Sequence, residues 1–114
     1  MTLYHDIPLG PKIPDVINVV VEIPKGSQNK YEYDKKIDMI RLDRVLFSPI
    51  FYVGDYGMIP QSLSDDGDPL DVLVLVTIPT YPGILIEARS IALLKMSDGS
   101  STDNTVLCVT RNDH

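Results

Sequence analysis

The sequence is poor in the residues from which catalytic and metal chemistry is most easily read. It has one cysteine in 114 residues, which rules out an internal disulfide. Cys108 stands in "TVLCVT", where it reads as a small strand residue, with no catalytic partner near it in sequence. The two histidines, His5 and His114, sit at the ends and form no zinc pattern. No apolar run approaches the roughly 18 residues needed to cross a bilayer. No G-x-S-x-G occurs, and "KGSQNKY" lacks both the glycine before the lysine and the Ser/Thr after it that a P-loop needs. No segment makes a convincing amphipathic helix, and neither an internal repeat nor a low-complexity linker is present. The opening "MTLYHDIPLGPKIPD" has neither a basic nor an apolar stretch of the kind a secretion signal needs. With the single thiol, this predicts a reducing, cytoplasmic setting.

What remains is an ordinary globular balance, 44% apolar and 23% charged, which argues against disorder. The length suits one domain, taken as residues 1–114, with a real core. The net charge of −6 repels nucleic acid and anionic membranes on average. It does not exclude a phosphate substrate if carboxylates first collect divalent cations, because a bound metal inverts the local charge.

Strand signals run along the whole chain. "VINVVVEI" (16–23) is rich in β-branched residues, and "KYEYD" (30–34) and "IDMIRLDR" (37–44) alternate around a "KK" turn. "FYV" (51–53), "LDVLVLVTI" (70–78) and "TVLCVT" (105–110) continue the pattern. "ILIEARSIALLKM" (84–96) is long enough for a helix but suits a bent strand pair about as well. Pro, Gly, Asp and Ser clusters separate them. The expected architecture is a small, mainly β domain, an antiparallel barrel or sandwich, with closure favoured because it removes exposed edges.

Charge collects in two places. In "KYEYD" the strand period puts Lys30, Glu32 and Asp34 on one face and Tyr31 and Tyr33 on the other; the next strand offers Asp38, Arg41, Asp43 and Arg44. Read plainly, this is a solvated hairpin with cross-strand ion pairs. The stretch "DDGDPLD" (65–71) is harder to explain that way. Its four carboxylates repel one another unless a cation neutralises them, and all-oxygen clusters suit Mg²⁺, Mn²⁺ or Ca²⁺ rather than zinc. An Asp-rich surface turn is the competing reading. An EF-hand is excluded: counting from Asp66, the sixth position is Asp71 rather than Gly and the twelfth is Thr77 rather than Glu. A second acidic loop, "SDGSSTDN", adds Asp98 and Asp103.

Taken together, "VVVEIPKGSQNKYEYD", "RLDRVLFSPIFYVGDYGMIPQSLSDDGDPLDVLVL" and "PGILIEARSIALLKMSDGSSTD" resemble the soluble inorganic pyrophosphatases of family I, and "DGDPLD" fits that family's Asp-x-Asp-Pro-apolar-Asp signature. The resemblance implies a five-stranded, OB-like closed barrel with the active site in its mouth. It implies Mg²⁺-dependent hydrolysis of pyrophosphate to two phosphates by a metal-activated water, with Mn²⁺ as a substitute ion. By the family pattern Asp66, Asp71, Asp98 and Asp103 are metal ligands, and Asp68 helps deprotonate the attacking water. Lys30 and Arg44 are phosphate ligands. Tyr56 lines the site and hydrogen-bonds there; Glu22 and Glu32 hold waters around the ions, with Tyr52 nearby.

The sequence departs from the family at Thr105, where a phosphate-binding lysine is usual, and at Gly99, where bacterial members often have glutamate. The family also continues beyond this chain's last residue with a Tyr-Lys pair and a helix that packs on the barrel, so the expected fold is the barrel with that C-terminal helix missing. An exposed barrel wall then predicts a homo-oligomer. Two alternatives stand beside the enzyme. One is a non-catalytic metal- or polyphosphate-binding relative. The other is a nucleic-acid-binding barrel stacking bases on Tyr31, Tyr33, Tyr52 and Tyr56, which the charge and the lack of a basic groove disfavour.

Overall fold

A computed structural model describes residues 6–49, 51–62, 69–97 and 102–112. Seven strands follow in chain order: β1 (Val16–Ile23), β2 (Asn29–Asp34), β3 (Met39–Val45), β4 (Gly54–Ile59), β5 (Leu70–Leu75), β6 (Leu85–Ser97) and β7 (Thr102–Thr110). Five of them close into a barrel in the order β1-β4-β5-β7-β6, and β6 returns to β1. Strands β2 and β3 form a separate antiparallel hairpin. The five-stranded closed barrel expected from the sequence is therefore present, and the described residues include no helix. Accordingly, none of them forms a helix long and apolar enough to cross a membrane.

The barrel is held by alternation. On β5, Val72 and Val74 point inward and join Ile17, Val19 and Val21 of β1, Ile86 and Ala88 of β6 and Cys108 of β7 in one buried cluster. Their neighbours Asp71 and Leu73 therefore lie on the outer face. Strand β1 shows no alternation because both its faces are covered: all eight residues are buried. The pairings are antiparallel except for β5 with β7, which run parallel. A parallel pair needs a long crossover rather than a tight hairpin, and β6 supplies it.

Three local readings of the sequence are corrected. Residues 51–53 are not a strand; the strand begins at Gly54 and runs to Ile59. Its glycines look like breakers, yet they are what lets the barrel close. A Cβ on Gly57 would strike the Val20 carbonyl oxygen, and one on Gly54 would strike that of Val74, so only glycine allows the neighbouring strands to approach. Second, residues 85–97 are neither a helix nor a strand pair but one strand bent by a bulge between Ser90 and Ala92. Third, the β2–β3 turn is longer than the two lysines: it includes Asp38, which leaves the strand and sits at φ 53°.

One end of the barrel is tied by a buried carboxylate that the sequence did not single out. Asp55, 0% exposed, accepts hydrogen bonds from the Lys25 backbone N–H at 2.7 Å, the Thr80 N–H at 3.2 Å and the Thr80 hydroxyl at 2.5 Å. Lys25 then reaches past it to donate from Nζ to the Val76 carbonyl at 3.1 Å. Two loops are thereby fastened to the start of β4.

Cys108 lies in the barrel core, 0% exposed, and burial pushes its thiol up to about 11. Because the folded chain keeps a proton that the unfolded chain releases from pH 9 upward, stability is unaffected below that pH and falls as pH rises towards 11. The expected loss from this group is on the order of 2 kcal/mol at pH 11. Urea titrations at pH 8 and pH 10.5 on the parent chain and Cys108→Ala check it: the variant loses stability at both pH values but shows a shallower decline between them. Equal declines in the two chains would mean that Cys108 carries none of the pH dependence.

Candidate active site

A cavity of about 500 Å³ lies between the hairpin and the outer wall of the barrel. Its wall side comes from Glu22 and Ile23 of β1, Tyr56 and Met58 of β4, and Pro69 and Asp71 at the start of β5. The side facing them is the hairpin, from Lys30 to Lys36 of β2 and its turn, with Arg41 of β3. The cavity therefore flanks the barrel rather than opening into its interior, as the outward face of Asp71 requires.

Each wall residue is placed by a feature of its strand. β1 has three residues, Val21 to Ile23, where β4 has two, Gly57 and Tyr56, so Glu22 is the extra residue of a bulge. A bulge re-aims a side chain out of the regular alternation, and here it sends a buried glutamate towards the hairpin. Glu22 Oε2 accepts the Tyr33 N–H at 2.8 Å, which docks the free edge of β2 on the barrel. Asp71 pairs in register with Met58 on one side and with Thr105 on the other. Its backbone is fixed on both sides by ladders, and the core residue Val72 follows it. Tyr56 is stacked on Phe51, ring centroids 4.5 Å apart and planes 8° from parallel.

On the hairpin, β3 also carries an extra residue. Lys30 pairs with Arg44 and Tyr31 with Leu42, leaving Asp43 in a bulge. Lys30 Nζ stands 3.6 Å from Asp43 Oδ2. Further along, Asp34 Oδ1 accepts the Lys36 N–H at 3.0 Å, and Asp34 Oδ2 lies 3.6 Å from Arg41 Nε. Tyr33 donates its hydroxyl to Asp38 Oδ1 at 2.9 Å, which fixes the turn. The cross-strand ion pairs expected of a plain hairpin are thus present, and three of their four side chains, Lys30, Asp34 and Arg41, line the cavity.

Of the site residues expected from sequence, Glu22, Lys30, Glu32, Tyr56 and Asp71 come together around this cavity. Arg44 stands across from Lys30 but is not among the lining residues, and Tyr52 is 61% exposed outside it. Asp66, Asp68 and Asp98 lie outside the described residues, as does the side chain of Asp103. Thr105, where a lysine was expected, is buried beside Asp71. Sequence reasoning gave no site role to Arg41, Asp34 or the turn lysines; the period-2 pattern placed Arg41 on the strand, but nothing in the pattern showed that the hairpin folds back over the barrel.

Four carboxylates and four cations line the cavity among the described residues. Glu22 and Asp71 belong to the barrel, whereas all four cations belong to the hairpin. No described group of three His, Cys, Asp or Glu side chains is close enough to hold a metal on its own. The donors that the cavity does offer are carboxylate oxygens, without thiolate or imidazole, a chemistry that fits a hard divalent cation.

The family model for inorganic pyrophosphatase matches residues 19–114. The inorganic pyrophosphatase of Halobacterium salinarum is 55% identical over 111 residues, covering 97% of this chain and 63% of the relative. That of Picrophilus torridus is 43% identical over 113 residues, covering 99% of this chain and 64% of the relative. The crystal structure of inorganic pyrophosphatase from Thermus thermophilus superimposes with a TM-score of 0.90 at 49% identity, covering 99% of this chain and 64% of that one. The chain thus spans a little under two thirds of the length of these relatives. With the family match and the closed barrel in accord, the chain belongs to the inorganic pyrophosphatase family.

Proposed function

We propose that this chain carries the catalytic barrel of an inorganic diphosphatase that hydrolyses pyrophosphate to two phosphates with Mg²⁺. The observation that carries the reading is the division of the cavity, with Glu22 and Asp71 on the barrel facing Lys30 and Arg41 on the hairpin. A dianionic or tetra-anionic substrate cannot sit against carboxylates alone; it is accommodated when divalent cations cover the acids and basic side chains meet the opposite side of the anion. Bound there, the cations supply charge neutralisation on the phosphoryl oxygens and an activated water.

The remaining roles concern the chain's own residues. Asp71 presents carboxylate oxygens to the ions from a rigid strand, and Asp66, Asp98 and Asp103 complete the ligand set. Asp68 takes the proton of the attacking water. Lys30 and Arg44 hold the phosphates, Tyr56 hydrogen-bonds at the site from its stacked position on Phe51, and Glu22 and Glu32 order the surrounding waters with Tyr52 beside them. Mn²⁺ substitutes for Mg²⁺ on the same oxygen donors. The protein works in the cytoplasm, binds neither nucleic acid nor membrane, and assembles with copies of itself. The apolar outer residues of β6 support that last point, with Leu85, Ile91 and Leu93 each about half exposed.

The test is phosphate release from pyrophosphate by this 114-residue chain, with and without Mg²⁺. Mg²⁺-dependent release is the expected result. No release, with Mg²⁺ binding intact by calorimetry, would overturn the catalytic reading for this chain and leave a metal-binding barrel.

A further inference from the structure

Resting on that reading, we propose that Arg41, beside Asp34, is a further anchoring point for the substrate anion, in addition to Lys30 and Arg44. Four of the chain's ten basic residues line one cavity in a molecule of net charge −6, and all four come from the hairpin. They are not equivalent. Lys30 is the second residue of β2, and Arg41 stands in register with Glu32, two residues further along. At a rise of about 3.4 Å per residue their backbone positions are offset by about 7 Å along the hairpin. Cations rooted at staggered positions on one wall suit an elongated anion carrying charge at both ends.

Arg41 is also held in place. Asp34 uses one carboxylate oxygen to accept the Lys36 N–H at 3.0 Å, which fixes its own rotamer at the turn. The other oxygen lies 3.6 Å from Arg41 Nε. A carboxylate on the Nε side of a guanidinium leaves the end-on pair of N–H groups, between the two terminal nitrogens, open to grip phosphate oxygens. Asp34 is thus a positioning residue and Arg41 the ligand-facing one, although a carboxylate beside an anion site would by charge alone oppose binding.

That opposition gives the test its sign. Binding of imidodiphosphate, a diphosphate that resists hydrolysis, is measured by calorimetry in Mg²⁺ at several salt concentrations on the full chain and on Arg41→Ala, Arg41→Lys and Asp34→Asn. Arg41→Ala is expected to weaken binding about tenfold or more and to flatten its salt dependence, while Arg41→Lys recovers part of the affinity. Asp34→Asn is expected to weaken binding several-fold even though it removes a negative charge. Tighter binding in Asp34→Asn would overturn the positioning role, and affinity within twofold of the parent in Arg41→Ala would overturn the anchor. A parent chain that binds imidodiphosphate but releases no phosphate from pyrophosphate would sink the proposed activity and leave this inference standing. No binding by the parent would sink the inference itself. Arg41 is largely solvent-exposed, so thermal melting of the variants is expected to match the parent and shows that they fold.

Discussion

Asp71→Asn is expected to lower Mg²⁺-dependent phosphate release by at least about a thousandfold while leaving the fold intact. The substitution is isosteric and sits at a strand position whose backbone is bonded on both sides, to β4 and to β7. The core residue next to it, Val72, is untouched. What changes is one unit of negative charge on the barrel side of the cavity, where Asp71 is proposed to hold a divalent cation. Cation-assisted neutralisation of phosphoryl oxygens contributes several kcal/mol to the transition state, and each 1.36 kcal/mol is about tenfold in rate. Initial rates across a Mg²⁺ titration, paired with a urea melt, measure both quantities. A rate within tenfold of the parent at saturating Mg²⁺ would remove Asp71 from the ligand set.

Asp55→Ala is expected to be the most destabilising of the substitutions considered, by about 3–5 kcal/mol. The carboxylate is completely buried and accepts three hydrogen bonds from two loops. Truncation leaves the Lys25 and Thr80 N–H groups without their acceptor and opens a cavity at the start of β4. Unmet donors in a buried site cost about 1–3 kcal/mol each. The strand that loses its fastening also carries Tyr56, so activity is expected to fall with stability. Urea denaturation monitored by tyrosine fluorescence gives the free-energy difference. A loss below about 1 kcal/mol would show that water takes over the three donors without penalty.

The strands that the sequence showed most plainly were those whose environment matches the simple pattern. The β-branched run of β1, the alternation of the hairpin and the apolar run of β5 all reappear close to their expected bounds. The misreading at β4 has a definite cause: Gly54 and Gly57 weaken strand propensity, and only the approach of Val74 and Val20 shows why they are there. The parallel pairing of β5 with β7 is a property of topology that local periodicity does not encode. The site divides in the same way. Asp71, Lys30, Glu22, Glu32 and Tyr56 were named in advance by the family resemblance, and they line the cavity. Arg41 and Asp34 were not, since their meaning depends on a hairpin folding over a wall far away in sequence. Asp55 was hidden for a different reason: an aspartate directly after a glycine reads as part of a turn, and its burial is visible only when Lys25 and Thr80 bond to it.

The two sides of the cavity belong to pieces of different robustness. The barrel is a closed ring in which every strand has two hydrogen-bonded neighbours, whereas the hairpin is a two-stranded sheet outside that ring, docked through contacts such as Tyr33 N–H to Glu22. Two-stranded sheets are marginal alone, and regions with fewer buried contacts open at lower free energy than the rest of a fold. On the proposed reading, an ion-and-anion complex lodged between them would act as a removable clasp, fastening the weaker piece to the stronger one while the substrate is whole and loosening that hold when the anion is cut in two. Release of product and relaxation of the hairpin would then be one event rather than two.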